Sequence, residues 1–476
     1  MSSVVDGRES SSASNYRSEV HDQGSPPVLP CAVVKKGKVN LFEKARNPII
    51  YGGAIDRLEC ADRTSAVSPG RPVFVSDWKY RLLGWGFYNP NSMYRVRIME
   101  FAADLDLGFE DDVDLSLENV ASFLHGRIED AYAARLSLNL PSDDTDVYRL
   151  INSEGDNLSG LIVDVMGKNL VVQSSGAWVE RYKEVIMESL SDIILDSDVI
   201  AWKADSGILK KEGVDITEDF QLFKIKRGPG GALDFEKHSS GEKSVNEGNG
   251  DDAQLVGDSI GQVLVTENSA TFSVGLNMQK TGFYCDQRNN RLFLKAISKG
   301  KRCLDLCCYT GGFAISAAMG GATEVTGVDS SSKAIAVAEE NAKLNGITSA
   351  QFHAADISKF MSRSIGSGTL WDIVVLDPPK LCPSAKFLKP ALRKYEKLNS
   401  MAMQLVERGG ILVTCSCSGA VTRSKDNAFL GMLSNAATRA GRDVKVLKVS
   451  GASEDHLTSL RYPEGEYLTV VTLMIL

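Results

Sequence analysis

A short stretch near the carboxyl end of the sequence, from Thr414 to Gly419, reads TCSCSG and carries two cysteines that flank one serine. The stretch closes the apolar run GGILVTCSCSG, a pattern typical of a buried strand that opens into a loop. A thiol at the end of a strand can fill a core, bind a metal, form a disulfide or act as a nucleophile. The rest of the chain has to decide among these chemistries.

The cysteine and histidine content argues against two of them. The nine cysteines are odd in number, scattered and never spaced as paired CxxC knuckles. None of the five histidines has a second His or a Cys at ligand spacing. We therefore expect neither a disulfide framework nor a zinc site, and we predict no bound metal.

Length and composition indicate a large protein of ordinary globular type. At 476 residues the chain suggests about three domains of roughly 100 to 200 residues each. No apolar run approaches the ~18 residues of a membrane span, and nothing near Met1 resembles a secretory signal. We therefore expect a cytoplasmic protein with no membrane partner. A net charge of −8 argues against indiscriminate nucleic-acid binding but allows local basic patches.

The texture of the sequence divides the chain into four regions. A Ser-rich opening segment with few apolar residues predicts disorder. Short β-like runs punctuated by Gly, Pro and Asn then predict a small β-barrel, followed by the mixed patterns of an α+β unit. Regular alternation of strands and helices at the end predicts a parallel sheet. The predicted regions are a disordered leader at 1–29, a barrel at 30–102, an α+β domain at 103–268 with a flexible insertion at about 230–260, and an α/β domain at 269–476.

The stretch RCLDLCCYTGGFAIS carries the strongest signal of the α/β region. It predicts a strand over Cys303–Leu306, a loop, a helix over about 312–319 and then a second strand that ends in Asp329. Gly311 and Gly312 let the backbone turn sharply and approach a ligand, and the following helix presents unpaired amides. Asp329 can accept two hydrogen bonds from a ribose diol. The loop lacks the GxGxxG and GK[ST] spacings of dinucleotide and P-loop sites.

The loop instead matches the first motif of class I S-adenosylmethionine-dependent methyltransferases. QFHAADISKF places Asp356 after a third strand, where that class contacts adenine. WDIVVLDPPK places Asp377 after a fourth strand. Because the carboxyl ends of parallel strands meet at one edge of a sheet, these carboxylates predict a single site.

Five segments together narrow the resemblance. TGFYCDQRNNR, LDLCCYTGGFA, VVLDPPK, TCSCSG and YPEGEYL, in this order, resemble the RlmI family of bacterial large-subunit ribosomal RNA cytosine-5 methyltransferases. The resemblance runs from about residue 30 to the end, without the acidic insertion. It implies an α/β fold class with a C-terminal Rossmann-like class I methyltransferase domain, preceded by a PUA-type RNA-binding barrel and a central α+β domain. It also implies an RNA partner, with ribosomal RNA favoured, and leaves a homodimer open.

The resemblance assigns roles to individual residues. Lys280, Pro378 and Lys380 are expected to contact the RNA, and Asp377 is expected to act in catalysis by holding the cytosine edge. Gln287 and Arg288 are expected near the amino-acid end of the cofactor, with surface salt bridging as the alternative. The residues expected to bind S-adenosylmethionine are Asp305, Tyr309, Thr310, Gly311, Gly312, Phe313, Asp329, Asp356, Asp377, Gln287 and Arg288.

The same resemblance answers the question raised by TCSCSG. Carbon 5 of cytosine becomes nucleophilic only after a nucleophile adds at carbon 6, and a thiolate suits this role because it can leave again. In the family's TxSCSG pattern the catalytic cysteine aligns with Cys417, whereas Cys415 occupies the variable position. Cys307 and Cys308 are interpreted as small spacers. Cys382, two positions beyond the place where many RNA cytosine-5 methyltransferases carry a cysteine, is a weaker candidate for a second thiol.

Two alternatives stay open at the level of function. A guanine- or amino-directed RNA methyltransferase would keep the cofactor but need no thiolate, and a ribosome assembly factor would bind RNA without catalysis. The Ser-rich leader and the acidic insertion depart from the compact bacterial layout. A chloroplast or mitochondrial location is therefore the alternative to the cytoplasm.

Overall fold

The computed structural model of the protein describes residues 29–60, 67–104, 115–238, 261–277, 282–424 and 427–476. The leader predicted at 1–29, apart from its last residue, lies outside the described residues, as does most of the predicted insertion. Across the described ranges no helix combines the length and the apolarity needed to cross a bilayer.

The N-terminal region forms one mixed six-stranded sheet. Its elements are β1 (Cys31–Val34), α1 (Val39–Glu43), β2 (Ile49–Tyr51), β3 (Ile55–Glu59), β4 (Arg71–Ser76), β5 (Leu82–Tyr88) and β6 (Tyr94–Phe101). The strand order is β2-β6-β5-β4-β1-β3, and only the β1–β4 pair is parallel. Alternate apolar residues such as Val73, Val75 and Val96 point into one core, as the period of two in a half-buried strand requires.

The central region also contains a six-stranded sheet, covered by two long helices. Its elements are α2 (Leu117–Ser137), β7 (Val147–Asn152), β8 (Leu161–Met166), β9 (Asn169–Ser174), α3 (Ala177–Arg181), α4 (Lys183–Ile193), β10 (Val199–Ala204), α5 (Ser206–Leu209), β11 (Phe220–Arg227) and β12 (Leu233–Lys237). The strand order is β12-β11-β10-β9-β8-β7. Strand β12 lies in the stretch predicted to be flexible, and its antiparallel pairing with β11 corrects that prediction for these residues.

A β-hairpin joins the central and C-terminal regions. It consists of β13 (Gln262–Glu267) and β14 (Ala270–Gly275), and its apolar side chains pack with Val147 of β7 and also with Ile315 of the last region. The domain boundary predicted between residues 268 and 269 falls in the turn of this hairpin. The predicted domain boundaries stay a prediction, because the hairpin shares one hydrophobic core with both the central and the C-terminal regions.

The C-terminal region is a seven-stranded α/β sheet, as the alternation of strands and helices predicts. Its elements are α6 (Arg288–Ile297), β15 (Arg302–Leu306), α7 (Gly312–Met319), β16 (Glu324–Asp329), α8 (Ser332–Leu344), β17 (Ala350–Ala354), α9 (Ile357–Ser367), β18 (Trp371–Leu376), α10 (Leu388–Gln404), β19 (Val406–Ser416), α11 (Gly419–Thr422), α12 (Ala428–Ala440), β20 (Val444–Ser450) and β21 (Thr469–Ile475).

The order of these strands decides where a ligand can bind. The sheet runs β17-β16-β15-β18-β19-β21-β20, with the first five strands parallel and β21 antiparallel to both of its neighbours. The chain moves outward in one direction from β15 and returns on its other side with β18. In open α/β sheets ligands bind outside the carboxyl ends of the strands at such a switch point.

Candidate active site

The loop between β15 and α7 is held in an unusual backbone conformation. Cys307, Tyr309 and Gly311 have φ angles of 64°, 50° and 86°. A Cβ at Gly311 would lie 3.2 Å from the Cβ of Ala338 on α8, so a side chain there meets both backbone strain and a close contact. Glycine at this position lets the loop pass close to α8.

Two neighbouring elements fix this loop from one side. Asp329, at the end of β16, accepts hydrogen bonds from the backbone N–H groups of Tyr309 at 3.0 Å and Ser331 at 2.9 Å. Asn341 on α8 donates through Nδ2 to the carbonyl oxygen of Thr310 at 3.0 Å. The side chains of Thr310 and Phe313 are buried. The loop therefore offers mainly backbone groups to a ligand, and Asp329 both shapes the loop and lies at its rim.

Asp305 is a buried carboxyl group beneath the loop. Its Oδ2 accepts a hydrogen bond from the N–H of Ala314 in the first turn of α7 at 2.9 Å. Its Oδ1 has no hydrogen-bond partner among the described residues. Burial, together with the nearby acids Asp377 and Asp329, raises the pKa of Asp305 to about 8 in spite of the opposing hydrogen bond from Ala314. A carboxyl group in this state favours a cationic neighbour.

Asp377 is held by an amide chain that begins on α6. Gln287 donates through Nε2 to Oδ2 of Asp377 at 3.2 Å. The Oε1 of Gln287 in turn accepts from Nδ2 of Asn290 at 2.7 Å. Gln287 is only 3% exposed, so its orientation is set by contacts within the protein and not by solvent. The structure thus brings together Gln287 and Asp377, two residues predicted for the site from separate motifs.

The cysteine loop after β19 lies directly beside the loop that carries Asp377. Sγ of Cys417 is 4.0 Å from the carbonyl oxygen of Pro378. The N–H of Cys382 donates to Oγ of Ser418 at 3.2 Å, which ties the two loops together. Oγ of Ser416 donates to the hydroxyl of Tyr395 on α10 at 3.1 Å. Serine and cysteine alternate along TCSCSG, and both serines lie within hydrogen-bonding distance of the Tyr395 hydroxyl on α10.

The thiols around the site differ in accessibility. Cys415 and Cys382 are both 0% exposed, and burial raises the pKa of Cys415 well above its ordinary value. Burial also raises the pKa of Cys307 and of Cys308, with further increases from nearby carboxylates. Cys417 is partly exposed. Cys417 is consequently the thiol of the TCSCSG loop that a substrate can reach.

Two of the predicted site residues make contacts within the protein where cofactor contacts were expected. Arg288 is 5% exposed and forms an ion pair with Asp455, with 2.8 Å between Nη2 and Oδ1. Asp356 is exposed and caps α9 by accepting from the N–H of Lys359. The cofactor contacts expected of these two residues stay predictions. Pro378 is buried and Lys380 is exposed, while Lys280 lies outside the described residues.

Tyr284 is a site residue that the sequence analysis did not single out. Its ring lies edge-on to that of Tyr309, with 5.3 Å between centroids. Burial raises the pKa of Tyr284, and the nearby Tyr309, Asp286 and Cys417 raise it further. The sequence feature that could have identified Tyr284 is its position inside the motif TGFYCDQRNNR. Elsewhere in the described ranges, no group of three or more His, Cys, Asp or Glu residues is arranged to hold a metal ion.

Comparison with known proteins places this geometry in a family. A PUA-like domain model matches residues 33–101 and a methyltransferase domain model matches residues 297–460. Ribosomal RNA large subunit methyltransferase I of Klebsiella pneumoniae strain 342 is 31% identical over 93% of this chain and 97% of its own length. The protein of that name from Escherichia coli O139:H28 is 31% identical over 92% of this chain and 97% of its own. The chain belongs to this family.

The family depends on S-adenosylmethionine. This is therefore the cofactor that we expect to bind at the loop after β15. A solved structure from Streptococcus mutans, described as a SAM-dependent methyltransferase, superposes with a TM-score of 0.68 at 17% identity, covering 93% of this chain and 99% of that one. A second solved methyltransferase structure, complexed with SAH, gives a TM-score of 0.69 over the same shares at 17% identity. At 17% identity these two structures show that the chain shares their overall fold. The buried, partly unsatisfied carboxyl of Asp305 and the backbone groups of the loop fit a cationic nucleoside of this kind.

Proposed function

We propose that the protein transfers a methyl group from S-adenosylmethionine to carbon 5 of a cytosine in large-subunit ribosomal RNA, through a covalent adduct with Cys417. The observation that carries this proposal is the position of Cys417. It is a partly exposed thiol at the end of β19, beside the Asp377–Pro378 turn, whereas its neighbour Cys415 is sealed in the core. The RNA substrate of the relatives, stated in their name, supports the choice of acceptor.

The proposed reaction begins with the thiolate of Cys417. The Cys417 thiolate adds to carbon 6 of the cytosine, which moves electron density to carbon 5. Bound S-adenosylmethionine would supply the methyl group to carbon 5, and its methyl–sulfur bond would break to leave the neutral thioether S-adenosylhomocysteine. Loss of the carbon 5 proton then allows the C–S bond to break and the thiolate to leave. Over the whole reaction the cytosine gains one methyl group and loses one proton.

Asp377 is positioned to assist the addition. When the thiolate attacks carbon 6, negative charge develops on the ring and the ring nitrogen must be protonated or hydrogen bonded. A carboxyl group fixed beside the base stabilises this change, and its effect grows towards the transition state. The hydrogen bond from Gln287 to Asp377 keeps the carboxyl group from turning away from the base. We therefore propose Asp377 as the group that holds the cytosine edge.

Mechanism-based trapping tests this proposal directly. Fluorine at carbon 5 cannot be removed as a proton, so large-subunit ribosomal RNA transcribed with 5-fluorocytidine should remain bonded to the enzyme. We expect an RNA–protein adduct on denaturing gels with the wild-type protein and with Cys415→Ala. Cys417→Ala should form no adduct and no 5-methylcytosine, while it keeps its affinity for S-adenosylmethionine.

Three outcomes would contradict the proposal. Trapping that persists in Cys417→Ala but disappears in Cys382→Ala would move the nucleophile to the DPPKLCP loop. Methylation of guanine or of an amino group, without any adduct, would favour an RNA methyltransferase of another class. RNA binding with no methyl transfer under any condition would favour a non-catalytic assembly factor.

A further inference from the structure

The segment that follows Asp377 is unusually basic for this chain. Between Lys380 and Lys397 the sequence contains six cationic residues and a single acidic one, Glu396, although the chain as a whole carries a net charge of −8. We call these six residues the α10 basic strip: Lys380, Lys386, Lys389, Arg393, Lys394 and Lys397. The strip lies in the loop after β18 and on the first half of α10.

The packing of α10 turns this strip towards solvent. Ala391, Tyr395 and Asn399 are buried against the sheet, and the Tyr395 hydroxyl contacts the serine of TCSCSG that precedes Cys417. Lys389, Arg393 and Lys397, spaced by four residues, share one exposed stripe of the helix. The eight residue steps from the first to the last of them span about 12 Å of helix. The buried face of α10 thus supports the catalytic loop while its exposed face is cationic.

The charges of the strip are not neutralised within the described structure. None of its six residues forms an ion pair with a carboxylate of the described residues, and Glu396 pairs instead with Arg439 of α12 at 3.6 Å. By contrast, arginines elsewhere in the chain, such as Arg97 and Arg149, pair with acids. A surface with several unpaired cations attracts a polyanion, because binding releases the counterions of that polyanion.

An exposed aromatic ring lies within the strip. Phe387 is 53% exposed and lies between Lys386 and Lys389 in the sequence. Unpaired bases of single-stranded RNA stack on exposed aromatic side chains, while lysine and arginine contact the phosphates. The combination of cations and an aromatic ring favours RNA over an acidic protein surface.

We propose that the α10 basic strip binds the RNA backbone beside the target nucleotide and so delivers the base to Cys417. The inference rests on the proposed function, since it takes RNA as the substrate, but it assigns the binding surface to the catalytic domain itself. The contact between Cys382 and Ser418 joins the start of the strip to the cysteine loop. The start of the strip therefore lies at the same edge of the sheet as Cys417.

Charge reversal on the full-length protein tests the inference. The variant Lys386→Glu/Lys389→Glu/Arg393→Glu should bind an unmodified transcript of bacterial large-subunit ribosomal RNA at least about tenfold more weakly at physiological salt. The slope of log affinity against log salt should decrease in magnitude by about 2, because three phosphate contacts are lost. Affinity for S-adenosylmethionine, measured by calorimetry, should remain within about twofold of wild type because the strip lies outside the cofactor loop.

The matched control carries the same change in charge at the opposite edge of the sheet. Lys299, Lys343 and Lys445 are exposed and lie near the start of β15, the end of α8 and the start of β20. Lys299→Glu/Lys343→Glu/Lys445→Glu should retain most of the RNA affinity. If both triple variants lose affinity equally, net charge explains the effect and the inference is overturned.

The remaining outcomes are also decisive. Unchanged RNA affinity in the strip variant would overturn the inference and point to an acidic protein partner for α10. If that variant lost S-adenosylmethionine binding, the neutral variant Lys386→Gln/Lys389→Gln/Arg393→Gln would provide the same comparison. A wild-type protein that binds the RNA but forms no 5-methylcytosine would refute the proposed function and still leave the difference in RNA affinity between the two triple variants measurable.

Discussion

At the scale of single residues, the protonation of the buried Asp305 carboxyl group should change when a cationic ligand binds. Burial and the nearby acids Asp377 and Asp329 raise its pKa to about 8, so most of the side chain is protonated at pH 7. S-adenosylmethionine carries positive charge, which favours the ionised carboxylate. Binding should therefore release a proton from Asp305 when the pH is below about 8.

This coupling makes a prediction about pH. Since binding favours the ionised form, the affinity of the wild type for S-adenosylmethionine should increase as the pH rises from 6 to 8, by up to about tenfold per pH unit. The affinity should then level off above the Asp305 pKa of about 8. Asp305→Asn cannot ionise and should lose this contribution. Calorimetry in two buffers of different ionisation enthalpy measures the number of protons released. Equal proton release by the wild type and Asp305→Asn would show that Asp305 does not face the cofactor.

The same scale shows what the sequence could and could not predict. Asp329 and Asp377 were placed correctly at the ends of β16 and β18: Asp377 follows the continuous apolar run IVVL, typical of a buried parallel strand, and Asp329 ends the short strand that follows the glycine loop and its helix. The ion pair of Arg288 was not predictable, because its partner Asp455 lies 167 positions away. Only the fold brings those two residues together, since sequence patterns report on neighbours along the chain.

At the scale of elements, the turn from β15 into α7 depends on one left-handed residue. Gly311→Ala would place a side chain at a φ of 86°, where a non-glycine residue costs about 1 to 2 kcal/mol, with its Cβ 3.2 Å from Ala338. We expect the free energy of unfolding in urea to fall by about that amount or more. Affinity for S-adenosylmethionine should also fall, because the loop would shift.

Gly300→Ala is the control for this substitution. Gly300 has a φ of 73° and nothing within 4 Å of an added Cβ, and it lies before β15, at the opposite edge of the sheet. It should lose comparable stability from backbone strain and keep normal cofactor affinity. Normal affinity in Gly311→Ala as well would mean that the loop tolerates the shift and that its conformation is not needed for binding.

Elements were predictable from sequence where burial imposes a pattern. The central strands β15 and β18 of the C-terminal sheet are largely buried, and the strand bounds at Arg302–Leu306 and Glu324–Asp329 follow the prediction closely. Strand β12 has the polar sequence LDFEK and was interpreted as part of a flexible insertion. It pairs with β11 at the edge of the sheet, where Leu233 and Phe235 are only partly buried and Glu236 forms an exposed ion pair with Lys226. An edge strand with exposed side chains carries little hydrophobic signal.

At the scale of the whole molecule, a buried charge network joins the central region to the catalytic region. Asp455, in the segment between β20 and β21, is 0% exposed and accepts hydrogen bonds from the N–H of Arg149 on β7 and from Arg288 on α6. Arg135 of α2 donates to the carbonyl oxygen of Asp455 at 2.6 Å and also pairs with Asp156. The segment after β20 therefore docks on α2 and β7 through charged contacts that exclude water.

This network also supports the active site. Arg288 is the first residue of α6 and follows Gln287, which holds Asp377. Burial alone would raise the pKa of Asp455, but the hydrogen bond and charge of His456 and the ion pair with Arg288 outweigh it and hold the pKa below its ordinary value. Because the folded-state pKa is lowered, the stability from this carboxylate is present above the ordinary value near 4 and is lost only as the pH falls below it.

Removing this carboxylate should destabilise the protein far more than removing its exposed neighbour. Asp455→Ala leaves the buried guanidinium of Arg288 without its ion-pair partner, and breaking such a pair costs about 3 to 5 kcal/mol. Glu454→Ala, one position earlier on the surface, should change the free energy of unfolding by less than about 1 kcal/mol. Urea unfolding at pH 7 measures both. If the two variants unfolded at the same urea concentration, the contact between the central and catalytic regions would have to depend on apolar packing instead of this charge network.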